Sequence, residues 1–106
     1  MRWTLIVSGS EAFQREAISG LRTARLVVGA TGESSAFGMV RGIDVERVLV
    51  DGDDEIGRRF LGALQSLPAS ACGDLEVVIV GGYPTDRFPV VEDLARALAR
   101  LGAQAA

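Results

Sequence analysis

The chain has 106 residues, 48% of them hydrophobic, and carries a formal net charge of −3. That length suits one domain, residues 1–106, around one core, and the apolar share argues against disorder. With no histidine and a single cysteine, Cys72, it excludes Ser-His-Asp triads, Cys-His pairs, histidine metal sites, a disulfide framework and a zinc cluster within one chain.

In chain order, short β-like runs alternate with segments of helical period. "WTLIV" (3–7) reads as a buried strand, and "EAFQREAISGL" (11–21) places Phe13, Ala17, Ile18 and Leu21 on one helical face. "ARLVVGA" (24–30) reads as a second strand, followed by a short, glycine-weakened helix in "ESSAFGMVRG" (33–42). "ERVLV" (46–50) is a third strand, and "EIGRRFLGALQSL" (55–67) a helix turning Ile56, Phe60, Ala63, Leu64 and Leu67 inward. Pro68 ends that helix, "PASACGD" is a loop, and "LEVVIV" (75–80) is a fourth strand. Pro89 suits the first turn of a last helix and Glu92 and Asp93 its positive end, with Val90, Val91, Leu94, Leu98 and Leu101 on its buried face.

Strands apolar on both faces, alternating with helices, predict an α/β fold: an open, doubly wound parallel sheet of about four strands with helices on both faces. No apolar run reaches the roughly 18–20 residues of a membrane helix, and no amino-terminal signal pattern is present. The expectation is a cytoplasmic protein without a membrane partner.

In such sheets the working site lies beyond the carboxyl ends of the strands. Those ends carry Ser8-Gly9-Ser10, Gly29 to Gly32, Asp51 to Asp54 and Gly81-Gly82. Asp51, Asp53 and Asp54 offer hard oxygen ligands for Mg2+; alternatively Asp53 or Asp54 caps the following helix and Glu55 complements its dipole. Arg58 and Arg59, one turn on, are candidates to hold a phosphate, or are solvated residues on an outer face. Ser8 and Ser10 can offer hydroxyls and backbone amides to an anion at the start of the first helix, where Ser10 also suits a simple N-cap. No residue stands out as catalytic.

Three stretches, "LIVSG" (5–9), "LVVGATG" (26–32) and "VLVDGDDEIGRRFLGAL" (48–64), together resemble the small Toprim domain of bacterial primases, topoisomerases and ribonuclease-type proteins. The resemblance implies Mg2+ held by Asp51, Asp53 and Asp54, nucleic-acid phosphate engaged by Arg58 and Arg59, and phosphoryl or phosphodiester chemistry. Ser8 stands at the position of that family's Glu general acid/base, which implies impaired catalysis; a gapless register puts Gly52 and Asp54 at the two Asp positions.

The chain also resembles response-regulator receiver domains through "TLIVSGSEAFQREAISGL", "LVVGAT" and "VVIVGGYP". This second resemblance implies that Asp51 is the phospho-acceptor position. Ser8-Gly9 replaces the acidic pair expected after strand 1, Gly81 replaces the Thr/Ser after strand 4, and "LGAQAA" falls where a fifth strand with its Lys is expected. The implied function is that of a truncated pseudo-receiver, a non-catalytic signalling or interaction module. A structural α/β subunit whose open sheet edge pairs in a homodimer is a third expectation.

Overall fold

The computed structural model describes residues 2–21, 26–68 and 73–105, with side chains through Leu101. The strands are β1 (Trp3–Val7), β2 (Val27–Ala30), β3 (Val45–Asp51), β4 (Glu76–Val80) and β5 (Val90–Val91); the helices are α1 (Glu11–Gly20), α2 (Glu33–Gly42), α3 (Glu55–Gln65) and α4 (Leu94–Ala105). All strand pairings are parallel and the order is β2-β1-β3-β4-β5. The expected sheet of about four strands thus has a fifth.

That fifth strand corrects the reading of the carboxyl-terminal region. Val90 and Val91 belong to an edge strand, not to the first turn of a helix. Ile79 N–H donates to Pro89 O and Gly81 N–H to Val91 O, at 3.0 and 2.9 Å, so the segment pairs with β4 before any helix begins. Asp93 then starts α4, its carboxylate accepting Arg96 N–H at 2.9 Å. An apolar Val-Val pair fits either period; the free backbone edge of β4 decides between them.

Period-two alternation in the strands feeds two cores. Leu5, Val7, Val48, Val50, Val77 and Ile79 face α2 and α3, packing with Ala36, Phe60, Leu61 and Leu64. Ile6, Leu49, Val78 and Val80 face α1 and α4, packing with Ala17, Leu21, Ala97 and Leu101. Phe37 of α2 meets Phe60 of α3 with ring centroids 5.5 Å apart and tilted. Helices therefore cover both faces, as the doubly apolar strands require.

Two inward assignments differ. Ile18 is 45% exposed and turns away from the sheet, whereas Gln14 is buried in the position that the apolar pattern would give to a hydrophobe. In α3 the buried residues are Gly57, Phe60, Leu61 and Leu64; Leu61 extends the expected stripe, Ile56 and Ala63 are only partly buried, and Leu67, also partly buried, lies past the helix end at Gln65. Cys72 and the first residues of the expected strand 24–30 lie outside the described residues.

The chain runs from β1 outward to β2 and returns to place β3 on the other side of β1. The winding direction reverses between β1 and β3, which opens a crevice above the ends of those two strands. Ser8 and Asp51 stand there.

Candidate functional site at the carboxyl end of the sheet

Asp51 is the last residue of β3 and is only 8% exposed. Both its carboxylate oxygens are occupied within the chain: Ser8 Oγ donates to Oδ2 at 2.9 Å, and Asp53 N–H donates to Oδ1 at 3.3 Å. Ser8 is fully buried, and its hydroxyl oxygen also accepts Ser10 N–H at 3.0 Å. Burial pushes the Asp51 carboxyl above its ordinary value of 3.8. The hydrogen bonds from Ser8 and Asp53 N–H oppose that rise, while the carboxylates of Asp54 and Asp53 reinforce it.

Asp54 is the N-cap of α3. Its Oδ2 accepts Ile56 N–H and Gly57 N–H at 3.0 and 3.2 Å, and reaches across to Gly9 N–H at 2.8 Å. One carboxylate thereby satisfies two orphan amides of a helix and ties that helix to the loop after β1. Asp53 points the other way, its Oδ1 accepting Gly82 N–H at 3.0 Å in the loop after β4. Asp51 and Asp54 therefore both tie to the loop after β1, at Ser8 and Gly9, whereas Asp53 ties to the loop after β4.

The remaining predicted residues are distributed as follows. Arg58 donates from Nε to Gly52 O at 2.8 Å, closing the turn between β3 and α3. Arg59 pairs with Glu55 one turn away on the exposed face of α3. Ser10 caps α1 by accepting Phe13 N–H at 3.3 Å.

A Mg2+ ion held by Asp51, Asp53 and Asp54 requires their oxygens to converge. They diverge onto protein donors instead, and among the described residues no group of three or more His, Cys, Asp or Glu side chains is arranged to hold a metal ion. The three side chains do not form one shared ligand set for that ion.

Two residues of the site escaped the sequence reading. Gln14 donates from Nε2 to Ile6 O, Ser8 O and Ala30 O, at 3.1, 3.1 and 3.0 Å, and so fixes the ends of β1 and β2. Gly57 lets α3 lie directly on the end of β3, because a Cβ there would overlap the Asp51 carbonyl. A glycine inside a helix was the available signal for the second; a buried glutamine leaves none.

No family model matches the chain, and no curated protein matches it. Solved structures do. Chemotaxis protein CheY4 of Vibrio cholerae superposes with a TM-score of 0.71 at 14% identity, covering 98% of this chain and 97% of that one. A CheY-like response regulator receiver domain from Methylobacillus flagellatus gives 0.70 at 16% identity, over 97% and 98%. A two component transcriptional regulator AraC from Clostridium phytofermentans ISDg gives 0.73 at 15% identity, over 99% and 91%. These likenesses support the receiver-like resemblance and give no support to the Toprim one. The chain has the doubly wound parallel α/β fold of CheY-like receiver domains.

Proposed function

We propose that this chain is a pseudo-receiver: a receiver-like module that works by contact with a protein partner and does not pass through an aspartyl-phosphate. The observation that carries this reading is the state of Asp51. It stands at the end of β3, where the receiver resemblance puts the phospho-acceptor, yet its two oxygens are engaged by Ser8 Oγ and Asp53 N–H. A carboxylate attacks phosphorus through a free oxygen, and a buried one whose two oxygens are both held by internal hydrogen bonds is a weakened nucleophile.

The neighbours point the same way. Ser8 and Gly9 stand where the receiver resemblance expects an acidic pair, so the loop after β1 brings Asp51 no carboxylate with which to share a divalent cation. Gly81 supplies no hydroxyl, and the chain contains no Lys to pair with a product. The fifth strand expected to be missing is present as Val90–Val91; what departs from a repeated strand-helix pattern is Gly81–Pro89, which links β4 to β5 without a helix. That loop is anchored: Gln65 Nε2 donates to Tyr83 Oη, Thr85 Oγ1 to Gln65 Oε1, and Arg87 Nη1 to the carbonyls of Gln65 and Leu67. Its fixed shape beside the β5 edge supports a binding role.

Incubation with acetyl phosphate and Mg2+, followed by intact-mass measurement, tests the proposal. The expected result is no phosphoryl adduct. An adduct mapping to Asp51 would return the protein to the phosphorylatable class.

A further inference from the structure

We infer that Asp53 is a built-in latch that clamps the β3–α3 turn onto the loop after β4 and keeps Asp51 closed. This inference stands on geometry and holds whether or not Asp51 is ever modified.

Three observations converge on it. Gly52 N–H donates to Val80 O at 2.7 Å, which carries the β3–β4 ladder one residue past the end of β3 and aims Asp53 at the β4 loop. The Asp53 carboxylate then accepts Gly82 N–H at 3.0 Å. Finally, that carboxylate occupies the volume a side chain on Gly81 would need: its oxygens and Cγ crowd the point where a Cβ would stand. Gly81 has a φ of +109°, a conformation L side chains rarely adopt, so the residue is shaped for the contact on both counts.

The same carboxylate residue closes the site from its backbone side, because Asp53 N–H donates to Asp51 Oδ1. Side chain and main chain of one residue thus link two loops and cover one buried acid. Gly52 tightens the arrangement, since a Cβ there would stand 2.8 Å from Val80 O and 3.1 Å from Tyr83 Cβ. Opening the latch frees the turn to lift from the β4 loop, and with it the main-chain N–H of Asp53 that donates to Asp51.

The test compares the wild type with Asp53→Ala and Asp53→Asn by amide hydrogen exchange at Gly82 and carbodiimide labelling of Asp51, the latter resolved by peptide fragmentation. Asn keeps a side-chain acceptor for Gly82 N–H; Ala removes it. In the D53A variant Gly82 should exchange roughly tenfold faster, the size expected for one hydrogen bond to a charged group, and Asp51 labelling should rise. In the D53N variant, which keeps an acceptor but loses its charge, both should fall between wild type and D53A. Equal Gly82 exchange in the wild type and D53A overturns the latch, as does D53N behaving like D53A. If D53A does not fold, the wild type alone decides: a Gly82 amide exchanging at the rate of an unstructured glycine overturns the proposal, and a protected one supports it.

Discussion

The side-chain oxygen of Gln14 on α1 lies well inside contact distance of the point where the first carbon of any side chain at Gly29 on β2 would stand. The amide nitrogen of Gln14 meanwhile serves three carbonyls at the ends of β1 and β2. Its oxygen is buried without a hydrogen-bond partner. The glutamine is thus held by its donor end and confined by its acceptor end, and Gly29 provides the space.

Gly29→Ala should therefore destabilise the fold by about 1–3 kcal/mol, the usual cost of overpacking a filled site. The cost should shrink in a Gln14→Ala background, where the clash is gone. Chemical denaturation of the two single variants and the double variant measures the coupling. Strict additivity would show that the two residues do not share this space.

Asp51 gives a pH dependence of definite sign. Burial raises its folded-state carboxyl above the 3.8 of the unfolded chain, so the native state holds the proton more tightly. Stability should then fall as pH rises from 3.8 through the raised folded value. Asp51→Asn removes the ionisation and can still accept Asp53 N–H, so the D51N variant should be more stable than wild type at neutral pH. Urea titrations at pH 7 and near pH 4 should show that gain shrinking on acidification. A wild type more stable than D51N at neutral pH contradicts the assignment.

Asp54 joins the start of α3 to the loop after β1. Asp54→Ala leaves Ile56 N–H, Gly57 N–H and Gly9 N–H without their acceptor. The loss should be about 1–2 kcal/mol for the cap, with a further increment for Gly9. Asp54→Asn keeps an acceptor oxygen and should recover most of it. Thermal and chemical denaturation would detect the difference; an alanine variant within about 0.5 kcal/mol of wild type, the range of neutral surface changes, would remove Asp54 from this role.

The metal question has a gain-of-function test. In the wild type, Mg2+ should leave the denaturation midpoint unmoved, because the carboxylates of residues 51–54 are turned to different protein donors. A Ser8→Asp, Gly9→Asp double variant sets two new carboxylates beside Asp51. It should be less stable without metal, since Ser8 is fully buried and a Cβ at Gly9 would lie 3.0 Å from Ile56 Cγ1. Mg2+ should then restore stability by mass action, about 2.7 kcal/mol at a concentration of 100 Kd. Saturable Mg2+ stabilisation of the wild type would instead reinstate Asp51, Asp53 and Asp54 as ligands.

The alternation of apolar runs and helical periods was enough to determine a parallel sheet covered on both faces, and the position of Asp51 to Asp54 at a strand end followed from the run "VLV" stopping at Asp51. The N-cap Ser10 was legible too, and that of α3 down to Asp53 or Asp54, because capping is a local exchange between one side chain and amides two or three residues on. What each carboxylate touches was decided only by the tertiary structure. Ser8 and Asp51 are 43 residues apart, and Asp53 and Gly82 are 29 apart; no local pattern encodes which loop lies across the crevice. The same holds for Val90–Val91, where a spare strand edge claimed two residues that helical spacing also fits. It holds as well for Gln14, a polar residue on an apolar face whose burial makes sense only once three carbonyls from two strand ends surround it.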